Sequence, residues 1–286
     1  MAGDVTVRTL RTIAEITPLV PLQIAVWGHD PDAGHIYPAR ALFAFAESGG
    51  LVGGAYDDHG DLIGFSAAWL GREAATRRVY LQSQLVGVLA SHRDRGVGLR
   101  LKLHQRDHAL EQGLALVKWT FDPLRPRNAV LNLHKLGAVA RRFVPDFYGE
   151  IPGRLNAGRP SDRLWAEWYV GSAHVMRRLR GGEVPRPPAG EPIGRLDRPG
   201  GRWVMPEFAF GLAAPTLLLE LPGDLDTLAA SGAGADAAFL GELQLRLRRV
   251  FADYLPRYTI TDCARTADRI VYVLQRAVDA ELDPAT

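Results

Sequence analysis

A long apolar strand pattern that leads through a glycine-bearing loop directly into a helix constrains this chain more than any other segment. The strand pattern runs from Val79 to Leu89, and the helix pattern runs from about Leu99 to Gly113. A second apolar strand pattern, residues 114–121, follows the helix. Because a strand–helix–strand unit brings its two strands together in parallel, the segment predicts an α/β fold with at least one parallel pair.

The loop between strand and helix has the composition of an anion-binding site. The first N–H groups of a helix have no acceptor within the helix, and the helix dipole makes that end positive. Two glycines let an anion approach the backbone without a Cβ in the way, and three arginines add positive charge. We therefore predict that a pyrophosphate binds here. The predicted contacts are Arg93, Arg95, Gly96, Val97, Gly98, Leu99 and Arg100.

Two other phosphate-binding loops fit the sequence less well. The dinucleotide-binding fingerprint requires a third glycine, but Leu101 occupies that position after Gly98. A nucleotide triphosphatase loop requires Gly-Lys-Ser or Gly-Lys-Thr, and neither occurs in the chain. Both nucleotide-binding interpretations are therefore disfavoured.

The pattern Arg93-x-x-Gly96-x-Gly98 resembles the signature loop of the GNAT N-acetyltransferase superfamily. The strand before it resembles that family's central strand, which separates from its neighbour and offers backbone groups to the pantetheine arm of coenzyme A. The strand residues to which this resemblance assigns cofactor contacts are Val86, Gly87 and Val88.

The resemblance covers residues 5–170 and implies a GNAT-like mixed central sheet flanked by helices. It also implies acetyl-CoA or another acyl-CoA as co-substrate, direct acyl transfer to an amine, and no metal. A helix pattern from Asn128 to Leu136-Gly137 resembles the family's helix beside the cofactor. This likeness adds Asn128 and Asn132 to the expected cofactor contacts.

The catalytic residues are where the chain departs from the family. Members often carry a tyrosine four residues before the glycine of the Leu-Gly pair, where its hydroxyl protonates the leaving thiolate, and Leu133 stands there instead. Tyr148 and His134 are the replacement candidates for this acid. Asp122, at the end of a strand pattern, is the candidate that holds the substrate ammonium group and relays its proton.

Further polar residues are candidates for substrate contacts. Two-residue alternation along the strand predicts that Gln82 and Gln84 share a face with Val88 and orient a substrate. Arg141, Arg142 and Arg163 could pair with a substrate carboxylate, although most surface arginines are simply solvated.

Composition and charge exclude several other classes of function. The formal net charge is +2, which disfavours nucleic acid as a partner. Cys263 is the single cysteine, so the chain has no internal disulfide and no all-cysteine metal site. His104 and His108 lie four residues apart, but the sequence suggests no third metal ligand. No stretch reaches the roughly 20 apolar residues of a membrane span, and we expect a cytoplasmic protein without a membrane partner.

The chain is expected to divide at a segment rich in proline and glycine. We predict a GNAT-like domain over residues 1–172, a linker or wrapping arm over 173–202, and a C-terminal part over 203–286. The C-terminal part has the strand–helix–strand order of a degenerate half copy without the glycine loop. The remaining patterns predict a strand at 5–10, helices at 13–27 and 39–46, a hairpin of 51–56 with 62–70, strands at 138–144 and 164–170, and C-terminal strands at 216–221, 258–262 and 269–274.

These observations favour an N-acyltransferase that moves an acetyl or succinyl group from coenzyme A to the primary amine of a small molecule, such as an amino acid, by direct attack in a ternary complex. Leu133 motivates the alternative, a non-catalytic acyl-CoA-binding sensor or assembly module with a degenerate site. The acyl group, the acceptor and the oligomeric state, a homodimer included, stay open.

Overall fold

The computed structural model describes residues 4–28, 36–149, 159–181, 187–231, 234–266 and 268–276. The chain divides into two compact units, Met1–Trp119 and Thr120–Thr286. Both units combine strands of a mixed sheet with flanking helices, which confirms the predicted α/β class.

The first unit contains the strand–loop–helix segment from which the fold was predicted. Strands β1 to β4 are antiparallel neighbours in chain order, and β5 runs parallel to β4, as expected. The last two residues of β5 belong to the second unit. The elements are β1 (Thr6–Thr9), α1 (Ile13–Ile16), α2 (Leu19–Trp27), α3 (Ala39–Glu47), β2 (Leu51–Tyr56), β3 (Leu62–Arg72), β4 (Val79–Val88), α4 (Val97–Glu111) and β5 (Leu116–Phe121).

The helix predicted over residues 13–27 is divided into α1 and α2. Thr12 and Glu15 form a reciprocal capping box that starts α1. Pro18 then lies between the two helices, and proline has no N–H with which to continue the hydrogen-bond ladder. The helical pattern was therefore correct in extent but not in continuity.

Apolar side chains cover both faces of the sheet in the first unit. On one face, Leu19 and Leu42 from the helices pack with Phe65 and Leu85. On the other face, Val97 and Leu101 of α4 pack against Ile63 and Val5, with Val86 and Val88 alongside. Helix α4 is thus fixed over the part of β4 that leads into the glycine loop.

The second unit contains the following elements: α5 (Pro126–Ala129), which continues as a π-helical segment (Val130–Lys135), β6 (Val139–Val144), β7 (Arg163–Tyr169), α6 (Ala173–Leu179), β8 (Glu191–Gly194), β9 (Thr216–Pro222), α7 (Leu225–Ser231), α8 (Gly234–Tyr254), β10 (Thr259–Arg265) and β11 (Arg269–Gln275). Within this unit the sheet order is β7, β6, β10, β11, β9, β8. Leu240, Leu243, Leu247 and Val250 form the buried stripe of α8, and Cys263 of β10 is fully buried.

The predicted half copy has the expected element order but a different strand arrangement. Strands β9 and β10 flank α7 and α8 in the chain, as β4 and β5 flank α4. However, β11 lies between β9 and β10 and is antiparallel to both. The adjacent parallel pair of the first unit is therefore not repeated.

The segment predicted as a linker contains regular structure in its described part. Helix α6 occupies its beginning, with Ser172 as the N-cap. Strand β8 runs parallel to β9 at the edge of the sheet in the second unit. Residues 182–186 of the predicted linker, Pro185 included, lie outside the described residues. The domain limits inferred from the sequence stay a prediction.

In the described part of the chain, no helix has the length and apolar character needed to cross a lipid bilayer.

Candidate functional site

Strands β4 and β5 pair only at their beginnings. Leu81 pairs with Val117 and Gln82 pairs with Lys118, and the described residues form no further pair between these strands. By contrast, β3 pairs with β4 as far as Val88. One edge of β4 beyond Gln82 is therefore left without a neighbouring strand, which agrees with the splayed strand that the resemblance implies.

A β-bulge at Gln84 overturns the predicted alternation along β4. The register with β3 shifts so that Ala67 faces Leu85 and Ala68 faces Ser83, which leaves Gln84 as an extra residue. The Gln84 side chain donates a hydrogen bond to the hydroxyl of Tyr37, on the side of α3. Gln84 therefore does not share a face with Val88, which packs on the side of α4.

The N-terminus of α4 offers backbone amides that no side chain caps. Gly96 is the N-cap residue with φ of 79°, in the left-handed region that favours glycine. The first hydrogen bond of the helix runs from the Arg100 N–H to the Gly96 carbonyl, at 3.0 Å. The N–H groups of Val97, Gly98 and Leu99 consequently have no acceptor within the helix. This is the arrangement predicted for the anion-binding loop.

The three arginines of the loop have different roles. Arg93 donates to the carbonyl oxygens of Val88 and Val26, both at 3.2 Å, and thus ties the loop to the backbone. Arg100 donates to the carbonyl oxygen of Val5 at 2.6 Å. Arg95 is exposed and forms no hydrogen bond or ion pair with the described residues. Of the three, Arg95 is thus the arginine whose charge is not engaged by another described residue.

Lys102 of α4 is a buried lysine that the sequence analysis missed. Its Nζ atom donates to the Ser83 hydroxyl at 2.8 Å and lies 3.4 Å from the ring centroid of Trp119. These partners directly follow the last paired residues of β4 and β5, so the ammonium group lies at the point where the strands separate. Burial lowers the pKa of Lys102 well below its usual range.

The two histidines of α4 bind protein atoms. His104 lies 3.0 Å from the Thr9 hydroxyl through Nε2, and His108 lies 3.3 Å from the carbonyl oxygen of Gly49. Burial lowers the pKa of His104. Across the described ranges, no three His, Cys, Asp or Glu side chains are grouped as metal ligands.

In the second unit, Tyr148 is exposed, and its hydroxyl lies within hydrogen-bond distance of another hydroxyl group. Its Oη atom is 3.0 Å from the Thr120 hydroxyl, and the residue is 45% exposed. The guanidinium carbon of Arg163 lies 5.5 Å from the ring centroid. Tyr148 therefore has an accessible phenol beside a positive charge, and its role as a proton donor stays a prediction.

Asp122 stabilises a turn at the end of β5. Its Oδ1 atom accepts the N–H of Leu124 at 2.8 Å, and its Oδ2 atom is 3.8 Å from the Nε of Arg125. Arg125 also pairs with Asp226 at 3.0 Å. The carboxylate is thus structurally engaged, while Oδ2 retains capacity to accept a further hydrogen bond.

His134 is held by a carboxylate that the sequence analysis did not connect with it. Its Nδ1 atom lies 2.9 Å from Oδ1 of Asp262, and Arg178 donates to the other carboxylate oxygen at 2.9 Å. Burial of Asp262 opposes ionisation, but the hydrogen bond with His134 and the charge of Arg178 prevail and lower its pKa. The contact joins residues far apart in sequence, so no local pattern could indicate it.

The two predicted cofactor residues of this unit differ in exposure. Asn132 is buried in the π-helical segment, whereas Asn128 is exposed on α5. Leu133 is fully buried, so the position at which the family often carries a tyrosine belongs to the core. The catalytic acid must come from another position if the chain has one.

No protein-family model and no curated protein matches this sequence. Solved structures are similar to it, including yncA, a putative acetyltransferase from Salmonella typhimurium with its cofactor acetyl-CoA. That match has 17% identity, a TM-score of 0.46, and covers 64% of this chain and 99% of the other.

Two further structures show the same level of similarity. The IAA acetyltransferase from Bacillus cereus is 16% identical, with a TM-score of 0.42 and coverage of 57% of this chain and 98% of the other. The N-acetyltransferase from Staphylococcus aureus Mu50 is 13% identical, with a TM-score of 0.46 and coverage of 59% and 99%. Such similarity concerns the fold alone, so function has to be argued from the residues of the site.

Proposed function

We propose that the chain is an acyl-CoA-dependent N-acyltransferase that transfers an acetyl or succinyl group to the primary amine of a small molecule such as an amino acid. The observation that carries this proposal is the combination, in the first unit, of an unpaired β4 edge with the uncapped N-terminus of α4. The edge suits an extended amide-bearing chain, and the helix end suits a diphosphate.

The residues of the loop fit such a co-substrate. The amides of Val97, Gly98 and Leu99 would bind the diphosphate, and Arg95 would add a mobile charge. A Cβ at Gly96 would meet no atom within 4 Å, so the space directly beside this residue is open. The backbone of Val86 to Val88 would hydrogen-bond to the pantetheine arm, which would take the place of a neighbouring strand. When bound, the acyl-CoA supplies a thioester carbonyl for attack.

The proposed chemistry requires a proton acceptor and a proton donor. The amine nitrogen forms a bond to the carbonyl carbon and loses a proton, and the carbon–sulfur bond breaks. A backbone N–H on the β4 edge stabilises the negative charge that develops on the carbonyl oxygen. We assign Tyr148 as donor to the thiolate because its phenol is accessible, with His134 as the second candidate. Asp122 remains the candidate that receives the ammonium group, through Oδ2.

Calorimetric titration with coenzyme A tests the binding part of the proposal. G98D and G98N form a matched pair, because both add a similar side chain at the second residue of α4 but only Asp adds negative charge. We expect G98D to weaken binding at least tenfold relative to G98N. Equal affinity of both variants, or no binding to the wild type, would contradict the proposed loop.

The buried Leu133 favours a second candidate function, a sensor that binds acyl-CoA without turnover. Incubation with acetyl-CoA or succinyl-CoA and a panel of D- and L-amino acids separates the two functions. Release of free thiol that depends on the amine supports the transferase. Binding without any thiol release in the panel supports the sensor.

A further inference from the structure

Two arginines of the second unit are partly buried: Arg163, which lies beside Tyr148, and Arg159. Arg163 donates to the backbone oxygen of Asp162 at 2.9 Å and stacks near the Tyr148 ring. Arg159 reaches only the Oε1 atom of Gln244, at 3.5 Å. Neither guanidinium forms an ion pair within the described ranges, although burial lowers the pKa of both. Removing such charges from water without a counter-ion is costly, so an anion is expected to compensate them.

The nearby carboxylates are already engaged by other groups. Asp162 pairs through both oxygens with Arg248, at 2.8 and 2.9 Å. Asp122 accepts the Leu124 amide, and Asp146 accepts the amide of Ser161 at 3.1 Å. Among the described residues, therefore, no carboxylate lies at ion-pair distance from either guanidinium group, although the charges of Asp122 and Asp162 act on both.

Hydrogen bonds join the segment that carries Tyr148 to the segment that carries Arg163. The Tyr148 amide donates to the Ser161 hydroxyl at 2.8 Å, and the Asp146 amide donates to Asp162 Oδ1 at 2.9 Å. Asp146 itself adopts φ of 45°, a conformation that is uncommon outside glycine and costs free energy. The phenol and the guanidinium are thus held in place before any ligand arrives.

The chemistry of the cluster suits a carboxylate. A guanidinium fork matches the two oxygens of a carboxylate, with two parallel hydrogen bonds. The negative charge of Asp122 acts on both Arg159 and Arg163. The two guanidinium groups exceed that single negative charge, so the pair retains a net attraction for an anion.

The other arginines considered from the sequence fit this role less well. Arg141 is bonded to Glu167 at 3.2 Å and to the hydroxyls of Thr259 and Tyr169. Arg142 is exposed, so water already solvates its charge. Arg163 alone of the three combines partial burial with a missing counter-ion.

We propose that Arg163, assisted by Arg159, binds the carboxylate of a small-molecule substrate next to the Tyr148 phenol. The assignment to a substrate rests on the proposed function, and it deepens that function by giving one substrate an obligatory carboxylate. The carboxylate can belong to the acceptor, as in an amino acid, or to the acyl group, as in a succinyl thioester.

Matched substrate pairs distinguish the two sources. Thiol release is measured with an amino acid and its primary amide, and with succinyl-CoA and acetyl-CoA. We expect the wild type to prefer the carboxylate-bearing member of one pair at least tenfold in kcat/KM. A preference within the first pair assigns the carboxylate to the acceptor, and a preference within the second assigns it to the acyl group.

Arginine variants then test the residues. R163M should reduce the preference for the carboxylate-bearing substrate at least tenfold, and R159M should reduce it less. R163K should retain part of the preference that R163M loses. R265M, which alters an exposed arginine at the end of β10, is the matched control and should retain the preference. Coenzyme A affinity should be unchanged in all variants. An unchanged preference in both R163M and R159M would overturn the proposal, as would a wild type without any preference.

Direct ligand binding separates this proposal from the proposed function. Saturation-transfer NMR with the amino acid and with free succinate, in the absence of thioester, needs no turnover. Binding that R163M abolishes, in a protein that does not bind coenzyme A, would uphold the carboxylate site and reject the transferase. If the protein binds coenzyme A but R163M does not change the binding of either carboxylate, the carboxylate site is rejected and the transferase proposal is retained.

Discussion

The ammonium nitrogen of Lys102 lies 2.8 Å from the hydroxyl oxygen of Ser83, immediately after the last residue at which β4 pairs with β5. No carboxylate of the described residues neutralises it. The lysine thus brings a titratable group to the point at which the two strands separate. Its protonation must influence the stability of the fold.

The first prediction concerns this lysine and pH. Its pKa is lowered in the folded protein from the ordinary 10.5, so the unfolded chain binds more protons between these two values. The free energy of unfolding therefore rises with pH across that interval, by up to about 1.4 kcal/mol per pH unit. Denaturant titrations from pH 6 to 9 should show the wild type gaining stability relative to K102M. K135M, which changes an exposed lysine, is the control, and a pH-independent difference for K102M would contradict the interpretation.

The second prediction concerns Gly96 and its left-handed conformation. Because a Cβ there meets no other atom, G96A should destabilise the protein through backbone conformation alone, by about 1 kcal/mol. Asn tolerates this region better, so G96N should lose less. Thermal unfolding measures the order wild type, G96N, G96A. An equal loss of stability in both variants would show that the left-handed backbone conformation of Gly96 is not the cause of the loss.

The third prediction concerns proton donation by Tyr148. Y148F removes the hydroxyl and retains the ring next to Arg163, so kcat should fall about 100-fold with little change in the KM for acyl-CoA. T120V removes the hydrogen-bond partner 3.0 Å away and should have a smaller effect. Steady-state thiol release at several pH values provides the measurement. An unchanged kcat in Y148F would transfer the role to another acid, and H134Q would be the next variant to test.

The fourth prediction concerns the pair of Asp162 and Arg248. Asp162 is buried, and D162N removes the charge that holds two guanidinium nitrogens. We expect a loss of about 2–3 kcal/mol, because the arginine keeps a partly buried charge without a partner. A double-mutant cycle with R248Q should give a smaller loss in the double variant than the sum of the single losses. Strict additivity would mean that the two side chains contribute independently.

The sequence predicted the first unit well because its signals are local. The apolar run of β4, the glycines after it and the periodicity of α4 each depend on neighbouring residues. The bulge at Gln84 could not be predicted, because it depends on how β3 aligns with β4. One extra residue was enough to reverse the expected orientation of the polar side chains along that strand.

The predicted site was least complete where contacts join distant segments. Lys102 meets Ser83 and Trp119 only after the sheet has formed, and His134 meets Asp262 across more than a hundred residues. Ion pairing decides which arginines are available as binding groups, and a sequence does not show it. Arg163 was therefore one of three candidate arginines until the structure showed that no carboxylate of the described residues lies at ion-pair distance from it.

The single cysteine has a practical consequence for experiments on this chain. Cys263 is fully buried in β10, and burial raises the pKa of its thiol, so reagents that detect free sulfhydryl groups react with it only in molecules that have opened. Cys263 of the folded protein should therefore contribute no signal to a colorimetric assay for released coenzyme A. A slow reaction of the Cys263 thiol in such an assay would report the rate at which β10 opens. The same assay would therefore measure unfolding of the protein.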